Sequence, residues 1–287
     1  MAPTTTSSTL FNTLHFLWQV FRATKVADGP HKSYAIKMLD KDHIKRHNKI
    51  KYVKSERDIL TKLRSEFIIR LYSTFQTKAS LFYVMEYCAG GELQHQLSKQ
   101  GALPLHAARF WLAELTVALE HLAAHNIVHR DLKPENVLLS AEGHVKLCDF
   151  GTAKVLAPAT AASSELTLTS SGAAVDLSSA SFVGTADFVS PEVIEGVDAS
   201  LSSDLWGLGC ITYQCFAGRP PFYTATETQA AREYQTMEKV RKAEYSFPPE
   251  DERRADADEE AWHVEEAEVR PVVHNISASR SARALHS

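Results

Sequence analysis

Residues 205–218 read LWGLGCITYQCFAG, a run that is nearly all apolar. Taken as a helix it has no face to turn towards water, so it must be buried on all sides. A chain containing such a helix needs a sizeable body of other elements around it. At 287 residues there is enough chain for one large domain or for two lobes with real cores.

The elements before that helix differ in kind from those around it. YAIKMLD alternates and is rich in strand formers, which predicts a strand. In IKYVKSERDILTKL, Ile50, Val53, Ile59, Leu60 and Leu63 recur near helical spacing, which predicts a helix. FIIRLYSTFQ and SLFYVMEY read as a two-stranded hairpin. From there on the pattern is helical, beginning with the long amphipathic run ARFWLAELTVALEHLAAH. The expectation is an α+β chain with a small strand-rich lobe over residues 16–88 and a larger helical lobe over 89–250, the change falling near residues 86–91. Residues 1–15 and the acidic, then Arg/Ser/His-rich stretch 251–287 read as disordered. Residues 155–180, rich in Ala, Ser and Thr, read as a mobile loop inserted in the larger lobe.

Composition removes several classes. Hydrophobic residues make up 44% and charged residues 23%, an ordinary soluble balance. The net charge of -4 argues against a protein held to nucleic acid by bulk charge. The apolar stretch 10–21 is too short for a membrane span and is broken by Asn12, His15 and Gln19. Cys88, Cys148, Cys210 and Cys215 form no C-x-x-C pair, which points to reduced thiols.

The chemistry concentrates in HRDLKPEN, residues 129–136. Phosphoryl transfer needs a carboxylate to orient the attacking hydroxyl and oxygen ligands to hold magnesium against the phosphates. Asp131 suits the first task and Asn136 the second, while Lys133 can neutralise the transferring phosphate. DFG, residues 149–151, follows a strand-like HVKLC a short distance later, where a second magnesium ligand, Asp149, is expected. Lys37 on the YAIK strand and Glu56 on the following helix form the expected ion pair that sets a lysine on ATP phosphates. Asp204 lies on the buried helix and must be hydrogen-bonded there.

These motifs, with DFGTAKVL, SFVGTADFVSPEV and SSDLWGLGCITYQ, make residues 34–248 resemble the eukaryotic protein kinase domain of the AGC group, and within it the 3-phosphoinositide-dependent subfamily. The resemblance implies a two-lobed kinase fold and a serine/threonine protein kinase that uses ATP and Mg2+. Lys133 is the serine/threonine form of the catalytic loop. It implies adenine contacts from the backbones of Glu86 and Cys88, a gatekeeper at Met85, and a ribose contact at Glu92. Val20, Ala35, Leu138 and Cys148 are implied to line the nucleotide. Phe150 is implied to pack between the lobes, and Asp204 to tie down the catalytic loop. Ser181 matches an activation-loop phosphorylation site for which Arg130 is a partner, and Thr185 is implied to contact Asp131 and Lys133. Substrates are implied to be other kinases carrying a phosphorylated hydrophobic motif. The motif's dock would have Lys41, Arg57 and Gln76 at its phosphate corner and Ile44, Ile50, Val53 and Leu81 as its floor. Lys45 and Lys54 depart from that pattern by adding charge. No nucleic-acid partner and no transmembrane segment are implied. The expected location is cytoplasmic, with recruitment to the membrane surface through partners.

Two departures stand out. No glycine precedes Gly29, and the three glycines of the phosphate-binding loop would fall at Thr13, His15 and Trp18. None of these permits the close backbone approach that glycine allows, so the first strand and loop read as replaced. Beyond residue 250 the last helices, the arginine expected to pair with Glu192, and the family's lipid-binding domain are not found. Glu192 is therefore expected to be unpaired. Three readings stay open: an active kinase, a nucleotide-poor docking module, and a truncated gene product.

Overall fold

The computed structural model describes residues 18–25, 32–156 and 186–247. The chain forms two compact units. One holds the described residues up to Gly91 together with Leu138–Thr152; the other holds Glu92–Val137 and the described residues from Ala153 onward.

The first unit is built on a four-stranded antiparallel sheet in the order β1-β2-β4-β3. Its strands are β1 (Trp18–Thr24), β2 (Ser33–Asp40), β3 (Leu71–Gln76) and β4 (Ser80–Glu86). The predicted YAIKMLD strand and the predicted hairpin are both present. β1 was not foreseen as a strand. It pairs with β2 along its whole length, from Trp18 opposite Leu39 to Thr24 opposite Ser33. Lys37 therefore sits in the sheet with Val20 opposite on one side and Tyr83 on the other.

Two helices follow β2. α1 (Lys41–Arg46) is capped by Asp40, whose carboxylate accepts the His43 N–H at 2.6 Å. α2 (Ile50–Lys62) turns Glu56, Ile59 and Leu60 inward, three and four residues apart. Ile50, predicted to lie on the core face, is 43% exposed. The Tyr83 hydroxyl donates to the Val53 carbonyl at 2.7 Å and ties β4 to α2. Leu39, Ile44, Ile59, Leu60 and Tyr83 are buried beside them. Each such aliphatic side chain contributes roughly 1.5–3 kcal/mol by leaving water.

Residues 138–152 belong to this unit because the strand Val145–Leu147 is stitched to it by backbone bonds. Ile69 N–H donates to the Leu147 carbonyl at 2.9 Å, and Leu147 N–H donates to the Phe67 carbonyl at 2.8 Å.

The second unit is mainly helical. α3 (Leu93–Gln100) and α4 (Leu105–Ala124) precede a short strand, Ile127–Val128, that pairs antiparallel with Lys154–Val155. α5 (Pro191–Ile194), α6 (Leu201–Ala217) and α7 (Gln229–Lys242) complete it. α6 contains the apolar run and is buried nearly all round, with Trp206, Cys210, Ile211 and Cys215 inside. Leu205 is the departure, at 45% exposed. Gly218 ends the helix in the left-handed region at φ 72°, where glycine has no Cβ penalty. None of the four cysteines is in a disulfide. No helix among the described residues is long and apolar enough to cross a membrane.

Candidate active site

In the sheet-bearing unit, β2 carries Lys37 and α2 carries Glu56. The Lys37 Nζ lies 2.7 Å from Glu56 Oε1 and 3.3 Å from Asp149 Oδ1. Lys37 is 6% exposed and Glu56 is 3% exposed. Burial by itself drives the lysine pKa down, but the two carboxylates outweigh it and hold the ammonium charged far above neutral pH. Burial pushes the Glu56 carboxyl up, and Lys37 opposes that shift. The two directions compete over one pair. At 2.7 Å, with a single cation facing two carboxylates, the charged pair is the form the geometry holds.

Asp149 takes a left-handed backbone conformation, φ 60°, which Asp tolerates better than most residues. The next residue, Phe150, is fully buried, and its turn lies against α2. The sequence motif therefore works locally: the aspartate reaches the lysine while the phenylalanine anchors the turn.

The other residues expected around a nucleotide in this unit are half-buried: Val20, Ala35, Met85, Glu86, Cys88, Leu138 and Cys148. Ala35 stands opposite Met85 in the sheet. Glu86 spends its N–H on the Arg70 carbonyl, and its carboxylate binds Lys146 at 2.9 Å. The Cys88 thiol is pushed up to about 12 by burial and by the Glu86 charge. Glu92 lies in the other unit, where burial and Glu135 push its carboxyl up.

In the helical unit, HRDLKPEN forms a loop after Ile127–Val128 that ends in the turn Pro134–Asn136. Asp204 holds its start. Asp204 Oδ2 accepts the His129 N–H at 2.7 Å and Oδ1 accepts the Arg130 N–H at 2.9 Å. These bonds fix Arg130 at φ 70°, a strained conformation for a non-glycine residue. One turn along α6, Gly207 lets the helix backbone approach the loop. A Cβ there would lie 3.0 Å from Leu132 Cβ and 3.1 Å from the Leu132 carbonyl. A helix-cap role for Asp204 is excluded, because Ser200 caps α6 in a reciprocal box with Ser203.

Within the loop, Lys133 Nζ lies 2.8 Å from Asp131 Oδ2. Asn136 Nδ2 donates to the Asp131 carbonyl at 2.7 Å and to Oδ2 at 3.0 Å. The amide nitrogen is thereby anchored, which turns the amide oxygen into a fixed acceptor. A hard oxygen donor of this kind suits Mg2+ better than a softer metal.

Glu192 corrects an expectation. It is not unpaired: the Ser203 hydroxyl donates to Glu192 Oε1 at 2.8 Å. A helix that begins nine residues later supplies the partner that the sequence reading sought in an arginine. Another pair was not foreseen at all. Asp187, 4% exposed, meets Arg232 of α7 at 3.1 Å. Burial raises the Asp187 carboxyl and Arg232 opposes the rise.

Of the expected docking residues, Lys41 donates to Gln76 Oε1 at 2.8 Å and to the Thr77 carbonyl. Ile44 is buried; Val53 and Leu81 are half-buried. The Arg57 guanidinium is engaged by Asp58 at 2.7 and 2.9 Å. Ser181 and Thr185 lie outside the described residues.

This chain belongs to the protein kinase family: residues 19–282 match the protein kinase domain. That match runs past residue 248, where the resemblance read from the sequence ends. The chain is 43% identical over 217 residues to human 3-phosphoinositide-dependent protein kinase 1, covering 76% of this chain and 35% of the human protein. To the Arabidopsis thaliana protein of the same name it is 43% identical over 209 residues, 73% of this chain and 41% of that one. To serine/threonine-protein kinase PKH2 of Saccharomyces cerevisiae it is 42% identical over 221 residues, 76% and 19%. The chain thus spans well under half of the length of these relatives.

Proposed function

We propose that this protein is a serine/threonine protein kinase that transfers the γ-phosphate of ATP to hydroxyls of protein substrates, with the activation loops of other AGC-group kinases as the substrate class. The observation that carries this reading is the Lys37–Glu56–Asp149 cluster. It joins Lys37 to Glu56, 19 positions away, at 2.7 Å and to Asp149, 112 positions away, at 3.3 Å, in the constellation that phosphoryl transfer requires. The names of the relatives, which are protein kinases, support the transfer of phosphate to protein hydroxyls.

In this reading Lys37 binds ATP phosphates and Glu56 orients it. Asp131 accepts the proton of the attacking hydroxyl, and its link to Asn136 keeps the carboxylate in place. Lys133 neutralises charge on the transferred group. Asn136 and Asp149 hold Mg2+, which when bound shields the phosphate charge. Glu86 and Cys88 take the adenine through backbone groups, Met85 is the gatekeeper, and Glu92 meets the ribose. Arg130 is the partner of a phosphate on Ser181.

The test is transfer of labelled γ-phosphate to a kinase activation-loop peptide. Asp131→Asn should lower the rate about 10²–10⁴-fold, the range for a lost general base. Asp149→Asn and removal of magnesium by chelation should each lower it below detection. Transfer that persists in all three cases would remove the reading.

A second reading is a docking module with little nucleotide affinity, favoured by the lack of any glycine before Gly29. It would bind a phosphorylated hydrophobic motif through Lys41, Gln76 and Arg57. Arg57 would exchange Asp58 for the phosphate. Peptide binding without ATP binding separates the two readings.

A further inference from the structure

Lys37 is covered on a third side by a residue for which phosphoryl transfer has no use. The Trp18 ring lies over the ammonium, 5.1 Å from Nζ to the ring centroid. Strand register puts it there. Val20 stands directly opposite Lys37, and Trp18 stands opposite Leu39. Trp18, Val20 and Lys37 therefore share one face of the sheet, and Trp18 is the diagonal neighbour of Lys37. Large aromatic side chains reach across such diagonals.

An ammonium has three N–H donors. Glu56 and Asp149 face it at 2.7 and 3.3 Å. The indole face, the best aromatic partner for a cation, takes a further side. Lys37 is left 6% exposed. A phosphate oxygen seeking this lysine must come to the same ammonium, so the ring and the phosphate compete for it.

We propose that Trp18 sets the ligand selectivity of this site: its indole competes with nucleotide phosphates for Lys37 and shifts preference from ATP towards adenine ligands that carry no phosphate. This rests on the ATP-binding reading above. A cation–π contact of ordinary strength corresponds to about a 2- to 30-fold change in affinity. The bulk of the ring adds a steric part that an aliphatic residue would retain.

The experiment is calorimetric titration of the full chain with MgATP and, separately, with adenosine. Wild type is compared with Trp18→Ala, Trp18→Leu and Trp18→Phe. ATP affinity should rise about 2- to 30-fold in Trp18→Ala, less in Trp18→Leu, and least in Trp18→Phe, whose ring keeps a cation-binding face. Adenosine affinity should stay within twofold throughout. Should Trp18→Ala fail to fold, by circular dichroism and thermal melting, the Leu and Phe variants still give the ordering. Equal changes for ATP and adenosine, or no change for ATP, would overturn the proposal while leaving nucleotide binding intact. If no form of the protein binds either ligand, the nucleotide reading falls and this proposal falls with it.

Discussion

Glu56 in the sheet-bearing unit and Asp204 in the helical unit are both buried carboxylates, yet they are neutralised by different means. Glu56 faces a lysine side chain at 2.7 Å, and that lysine is shared with Asp149 and overlain by Trp18. Asp204 faces two backbone N–H groups at 2.7 and 2.9 Å, from His129 and Arg130. A side-chain cation can be drawn away by an incoming anion. Backbone donors move only if the chain moves with them. The first arrangement suits a group that must change partners with ligand, the second a loop that must keep one shape.

The sharpest way to break this contrast is Lys37→Met, which leaves Glu56 buried without its cation. Removing one partner of a buried pair costs about 3–5 kcal/mol, to be read by urea unfolding at pH 7. The loss should depend on pH. Burial already raises the Glu56 carboxyl, and without Lys37 nothing on the lysine side opposes that rise. The folded state then binds the proton more tightly than the unfolded state, so stability falls as pH rises through the folded pKa. The deficit should therefore shrink as pH falls towards the ordinary glutamate value of about 4.3. A deficit that is constant from pH 7 to pH 4.5 would contradict a charge-held Glu56.

Asp204→Asn tests the other side of the comparison. The amide keeps one oxygen acceptor and turns an NH2 towards a backbone N–H. One charge-assisted bond is lost, worth about 1.5–3 kcal/mol. The variant side chain does not titrate, so any pH dependence of its deficit reports the wild-type Asp204 carboxyl, which burial pushes up. A loss larger than that of Lys37→Met would reverse the comparison.

The smallest effect is expected at Ser203→Ala. It removes the donor to Glu192 and the oxygen that accepts the Ser200 N–H at 3.1 Å. The cost should be about 1 kcal/mol for the lost cap and hydrogen bond together. Adding Glu192→Gln to Ser203→Ala should change little more, because Glu192 then has no Ser203 hydroxyl to lose. If the two substitutions add in full, the Ser203–Glu192 contact is not a coupled pair.

What could be read directly from the chain was local. HRDLKPEN and DFG place their reactive groups within a few residues of one another, so the order of residue types already implies the chemistry. The strand at YAIKMLD and the helix from residue 50 followed from periodicity, because one side chain in two, or one in three or four, must leave water, and the buried helix followed from the nearly unbroken apolar run 205–218. The pairing of Lys37 with Glu56 was legible only because a strand and a helix of the right kind were both recognisable.

Other features depended on partners distant in sequence, and only tertiary structure could choose them. β1 was missed because WQVFRAT has the character of a partly exposed edge strand, and its pairing with β2 decides its conformation. Register, which no single segment specifies, then set Trp18 over Lys37. Glu192 had several serines as possible partners, and the fold brought Ser203 to it. Asp187 found Arg232 forty-five positions away. Sequence by itself determined which groups this protein has and the elements on which most of them ride. The fold decided which of those groups touch, because hydrogen bonds and ion pairs act over about 3 Å, a distance set by packing rather than by order along the chain.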